Sequence, residues 1–178
     1  ELSALKSQIN PHFLFNSLNN LYSLALDKDK KTPEIILKLS HAMRYMLYEA
    51  TDNFVALEKE IEYLNNYLEL QKLRVGERAE INFEINGNPE KISVPSLIFI
   101  PFVENGFKHG IKGDIENSFI HIELNIDQNR IVFKSENNKG DVDDPETDEY
   151  RGVGLNNVKR RLELLYPNRH ELKIIDGV

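Results

Sequence analysis

Three short segments of the sequence carry side chains able to do chemistry. The first is Gln8-Ile9-Asn10-Pro11-His12-Phe13-Leu14-Phe15-Asn16, which sets one imidazole among amides and aromatic rings. Near neutral pH an imidazole is a competent nucleophile, with one nitrogen free while the other is held by a hydrogen bond. At ~100° per residue, His12 lies roughly 150° round the helix from an apolar stripe of Leu14, Leu18, Leu21 and Ala25, within reach of another domain or chain. Taken alone, the position describes an ordinary surface or capping histidine better than a nucleophile.

The second segment is Glu104-Asn105-Gly106-Phe107-Lys108-His109. On a helix, Glu104, Asn105, Lys108 and His109 share one side, and Phe99, Ile100, Val103 and Phe107 share the other. The polar side offers an amide oxygen for a hard cation such as Mg2+, a carboxylate, and two groups that can meet phosphate oxygens. A divalent ion that arrives on a nucleotide keeps several waters and takes few protein ligands, so Asn105 alone is chemically sufficient. Without a ligand the same face reads as a solvated i,i+4 Glu104–Lys108 pair.

The third is Gly152-Val153-Gly154-Leu155-Asn156-Asn157-Val158-Lys159-Arg160-Arg161. Two glycines opening a helix let backbone amides approach an anion, and the helix N-terminus adds its partial positive charge. The segment is not a Walker loop, because no Gly-Lys-Ser/Thr follows, and Asn157 stands where a dinucleotide fingerprint has its third glycine. Ahead of it, six of the nine residues from Asp141 to Glu149 are acidic. They would repel a polyphosphate, so the stretch reads as a solvated lid with no catalytic acid.

The elements that must position these groups follow from periodicity. Residues 1–26 read as helix interrupted by Pro11, where a lost backbone bond favours a kink. Thr32-Pro33-Glu34 starts a second helix with an Ile35, Leu39, Ala42 and Met46 seam. A third helix carries Leu57, Ile61, Leu64 and Leu68 to about Arg74. After Gly76 the period changes: Ile81, Phe83 and Ile85 alternate, Val94-Pro95 leads into a helix from about Ser96, and Ile120 to Ile126 form a hairpin with Ile131 and Phe133. A helix from Leu155 to about Tyr166 and a last strand holding Leu172 and Ile174 complete the pattern. The expected fold class is α+β: a helical unit over residues 1–75, then an α/β unit over 76–178 with antiparallel strand pairs and helices on one face.

Composition narrows the functions. The 178 residues hold 22 Lys and Arg against 29 Asp and Glu, a net charge of −7, which disfavours nucleic acid as a partner. Hydrophobic residues at 40% permit a real core, and the absence of cysteine excludes disulfides, thiolate nucleophiles and cysteine-ligated zinc. No apolar run reaches the roughly 18 residues needed to span a bilayer, and no signal peptide precedes the first helix, so the chain reads as soluble. It starts inside a helical pattern and stops just after Leu172–Ile175, as expected of a piece whose upstream part lies elsewhere.

Taken in order, the three segments resemble the LytS-like sensor histidine kinases, whose catalytic part belongs to the GHKL ATP-binding superfamily. The resemblance rests on the 8–16 box, on Tyr67-Leu68-Glu69-Leu70-Gln71-Lys72-Leu73-Arg74, on Pro101 to Gly110, and on Gly152 to Val158 with Arg161-Leu162. It implies a helical dimerisation and phosphoacceptor unit over 1–75 and a GHKL (Bergerat-type) α/β sandwich that binds ATP over 76–178. It also implies that His12 is the phosphoacceptor, Asn105 the Mg2+ ligand, and Lys108 and His109 phosphate contacts. Gly152, Gly154 and Leu155 would form the turn against the triphosphate, and Glu104 is the candidate general base. Asn137, in Asn137-Asn138-Lys139-Gly140, stands where the superfamily usually has an aspartate that accepts from the adenine amino group, a role an amide oxygen can also fill. Gyrase- and Hsp90-type ATPases place a water-activating glutamate one turn before the metal-binding asparagine, where this chain has Pro101, which favours transfer to histidine over hydrolysis. The implied partners are a second copy in a four-helix bundle, a response-regulator receiver domain, and an upstream membrane sensor region that leaves this part on the cytoplasmic side. The alternative expectation is a catalytically weak kinase-like dimer that acts as a signalling scaffold.

Overall fold

The computed structural model of the protein describes residues 11–111, 118–138 and 153–175. The expected helix before Pro11, the acidic stretch 141–149 and Gly152 lie outside the described residues. Helix α1 (Pro11–Leu26) opens on its proline, where a missing N–H leaves no bond unmade. Its buried face runs through Phe13, Ser17 and Leu21, while Leu18 is 54% exposed, so the stripe expected at positions 14, 18, 21 and 25 is only partly covered. The aromatic ring decides the rotation: Phe13 stacks on Tyr67, with centroids 4.6 Å apart, as α1 lies against the next two helices.

Helix α2 (Thr32–Arg44) has Pro33 in its first turn and buries Ile35, Leu39 and Ala42, as their spacing requires. It continues as one wide π turn over Tyr45–Glu49, which no sequence period announced. Helix α3 (Leu57–Val75) buries Leu57, Leu64 and Leu68 together with the polar Glu60 and Gln71. It ends at Gly76, whose φ of 61° is available to glycine without steric cost.

The strands form two sheets. The short β1 (Phe54–Ala56) pairs antiparallel with β3 (Ser93–Pro95), and β2 (Ala79–Asn86), β4 (Ser118–Asp127) and β5 (Arg130–Asn137) form a sheet in the order β2-β4-β5. The expected antiparallel pairing holds for β4 with β5 but not for β2 with β4, which run parallel. The connection from β2 to β4 carries β3 and a helix, a crossover long enough to return the chain in the same direction. Ile120, Ile122 and Leu124 of β4 are almost fully buried and alternate with exposed His121.

Helix α4 (Ile100–Gly110) starts later than Ser96 because Ser96 is tied elsewhere: its hydroxyl donates to the Asp52 carbonyl at 2.8 Å and its N–H to the Asn53 carbonyl at 3.2 Å. Helix α5 (Val153–Leu165) is followed by residues 171–175, where the expected last strand has no ladder partner among the described residues and Ile175 is 83% exposed. Alternation marks a face; it becomes a strand only when a neighbour supplies the hydrogen bonds. Buried side chains on both sides of position 75, from Phe13 and Tyr67 to Phe107, Ile120 and Val158, belong to one core.

Candidate functional site

Helix α4 carries most of the side chains singled out above. Phe99 at its start stacks on Phe133 of β5 with centroids 4.7 Å apart, and Ile100, Val103 and Phe107 are buried, which fixes the helix against the sheet. Glu104, Asn105 and His109 are half-buried, and Lys108 is exposed in the last turn. Glu104 faces α3: burial first, and then its negative charge, hold the Tyr63 and Tyr67 phenols well above their ordinary range. The side-chain amide of Asn105 has no partner among the described residues, which leaves a hard oxygen donor available. None of the described residues forms a group of three or more His, Cys, Asp or Glu able to hold a metal.

Asn137 at the end of β5 meets this helix closely. A Cβ placed on Gly110 would lie 2.7 Å from Asn137 Cβ, and one on Gly106 would lie 3.7 Å from Asn137 Oδ1. Two glycines four residues apart thus open one side of α4 to β5, a spacing the sequence displays but whose purpose only the packing reveals. Asn137 Nδ2 donates to the Asn138 carbonyl at 2.6 Å, which holds the amide so that its oxygen remains the free acceptor. At the other end of α4, a Cβ on Gly154 would lie 3.9 Å from Pro101 Cβ, so α5 begins beside the start of α4. Leu155 is half-buried in the same turn. Gly154 sits within α5 rather than ahead of it.

His12 lies in the first turn of α1, and its side chain is not among those described. Its neighbour Phe13 stacks on Tyr67, and Tyr67 in turn meets Phe107 edge-on with centroids 6.0 Å apart. Periodicity could not have found Tyr67, because an aromatic on a buried helix face reads as ordinary core. The structure therefore brings the backbone of the His12 segment, the Asn105 helix, Asn137 and the start of α5 around one core.

The family model described as "Histidine kinase" matches residues 1–79. Over that stretch the chain is similar to the histidine kinase family. It is 29% identical over 182 residues to the sensor protein LytS of Staphylococcus haemolyticus, covering 97% of this chain and 31% of that protein. It is 31% identical over 162 residues to the sensor histidine kinase BtsS of Escherichia coli K12, covering 91% of this chain and 28% of that protein. LytS of Bacillus subtilis is 31% identical over 189 residues, which cover 100% of this chain and 32% of the relative. The chain thus spans about a third of the length of the curated relatives it matches. Among the described residues no helix is long and apolar enough to cross a membrane.

Proposed function

We propose that the chain is the kinase portion of a two-component sensor: it uses Mg2+·ATP to phosphorylate His12, and the phosphoryl group then passes to an aspartate on a response-regulator receiver domain. The observation that carries this reading is the Phe13–Tyr67–Phe107 contact, which joins the helix bearing the imidazole to the helix bearing Asn105. In this reading residues 1–75 dimerise and accept the phosphoryl group, and residues 76–178 form a GHKL-type ATP-binding unit. The adenine amino group donates to Asn137 Oδ1. Lys108 and His109 meet phosphate oxygens, and Gly152, Gly154 and Leu155 close the turn beside them. Asn105 supplies the single protein ligand for Mg2+, which when bound neutralises charge on the triphosphate.

In the transfer step a ring nitrogen of His12 attacks the γ-phosphorus in line. The bond from that phosphorus to the bridging oxygen breaks, and ADP leaves with the electron pair. The imidazole proton passes to a base, for which Glu104 is the candidate. Such transfer depends on positioning and charge neutralisation more than on covalent chemistry by the protein. Pro101, beside Gly154, offers no base to activate water.

The outer face of α1 supports a dimer. Phe15, Leu18, Tyr22 and Leu26 are each at least half exposed and follow one another at helical spacing. A second copy packed there would build a four-helix bundle. An upstream membrane sensor region would place this portion on the cytoplasmic side, where ATP is found.

Incubation with γ-labelled ATP and Mg2+ tests the reading. Label should appear on the wild type and be absent from His12→Gln; equal label on both overturns the assignment. A second reading, a signalling scaffold, is favoured by the neutral Asn137 in a place where a carboxylate would hold the base more strongly. Calorimetry with a non-hydrolysable ATP analogue decides between them, since a scaffold shows no heat at millimolar nucleotide.

A further inference from the structure

Glu60 is fully buried in the first turns of α3, and the groups around it come from four parts of the chain. Its Oε1 accepts from the hydroxyl of Tyr45, the first residue of the π turn that ends α2, and from the backbone N–H of Leu97 at 2.5 Å. Leu97 holds a φ of 55° in the turn that leads into α4. In the same turn the Ser96 carbonyl accepts from Arg161 Nη2 at 2.7 Å, and Arg161, on α5, is only 4% exposed. Glu60 Oε2 and Arg161 Nε are both buried without a partner among the described residues, and the guanidinium acts on the carboxylate through space.

A buried carboxylate is a poor choice for stability, because an apolar side chain of similar size would fill the space without desolvating a charge. A π turn is likewise an uncommon device that widens a helix at one point. Here the two coincide: Tyr45, whose hydroxyl donates to Glu60, is the first residue of the wide turn. The turn at residues 96–97 is at once the anchor for Arg161 of α5 and the lead-in to α4, the two helices on which the nucleotide residues stand.

We infer that Glu60 is a positioning residue that couples the Tyr45–Glu49 turn, at the end of the helical stretch, to the helices that carry Asn105 and Gly154. The inference rests on the nucleotide site proposed above. When nucleotide orders α4 and α5, the 96–97 turn, Glu60 and the Tyr45 hydroxyl become fixed together. Movement at the end of α2 reaches the nucleotide site by the same contacts in reverse.

Hydrogen exchange followed by mass spectrometry, with Mg2+ and a non-hydrolysable ATP analogue, tests the coupling on the chain as it stands. In the wild type, nucleotide should slow exchange over residues 45–49 by about fivefold, the size expected for one hydrogen bond made firmer. Tyr45→Phe should lose that slowing while its nucleotide affinity, measured by calorimetry, stays within about twofold. Glu60→Gln keeps an acceptor at the Oε1 position and should retain the slowing. A merely structural role would shift exchange equally with and without nucleotide in every variant. Persistence of the slowing in Tyr45→Phe overturns the coupling, as does its absence in a wild type that binds nucleotide. A wild type that binds no nucleotide overturns the proposed kinase reading and the coupling with it.

Discussion

Titration of Glu60 should set a measurable part of the pH dependence of stability. Burial is the main cause that raises its pKa from 4.5 to about 7, outweighing the hydrogen bonds from Tyr45 and Leu97 and the charge of Arg161, all of which favour ionisation. The buried phenol of Tyr63 is the other titratable group that faces it. A carboxyl whose pKa is higher in the fold than in the unfolded chain stabilises fully below about 4.5, and that contribution is lost as pH rises through about 7. At about 1.4 kcal/mol per unit the whole contribution comes to roughly 3 kcal/mol, of which about 2 kcal/mol disappears between pH 5.5 and 8.5. The informative quantity is a difference between two proteins that share every other group. Glu60→Gln is close in shape to the protonated glutamic acid and cannot ionise. Urea denaturation of both proteins across pH 5.5–8.5, followed by far-ultraviolet circular dichroism, should show wild type losing about 2 kcal/mol relative to Glu60→Gln as pH rises. Parallel curves, or a wild type that gains relative to the variant with rising pH, would refute the reasoning.

Two further outcomes follow from packing. Gly110→Ala places a methyl group 2.7 Å from Asn137 Cβ, a contact that side-chain rotation cannot relieve, so it should cost about 1–3 kcal/mol in the same denaturation assay; an unchanged midpoint would show that α4 and β5 are not held this closely. Leu18→Glu adds a charge to an apolar row on α1 that is 54% exposed at that residue, and light scattering should report a monomer where the wild type is a dimer. A dimer that survives the substitution argues against that face.

The candidate residues His12, Glu104, Asn105, Lys108 and His109 could be singled out because their chemistry and order lie within short segments. The regular elements were identifiable where period and length were sufficient: the Ile35, Leu39 and Ala42 seam is buried, and Leu57, Leu64 and Leu68 line α3. Where a local pattern had to choose among partners, it was silent or misleading. Ile81, Phe83 and Ile85 announced a strand but not its parallel neighbour, and Leu172 and Ile174 alternate with no ladder beside them. The three residues of β1 are too few to show a period, and their partner β3 is remote in sequence.

Sequence by itself determined which residues bring an imidazole, an amide and a cationic side chain, and the spacing that winds most of them onto helices, because side-chain chemistry and backbone periodicity are local properties. Tertiary structure alone decided that Tyr67 bridges Phe13 and Phe107, that Gly110 admits Asn137, and that Glu60 is sealed between Tyr45 and the turn before α4. Those are contacts between segments distant along the chain, and which of many compatible surfaces meet is settled only when the whole core closes at once.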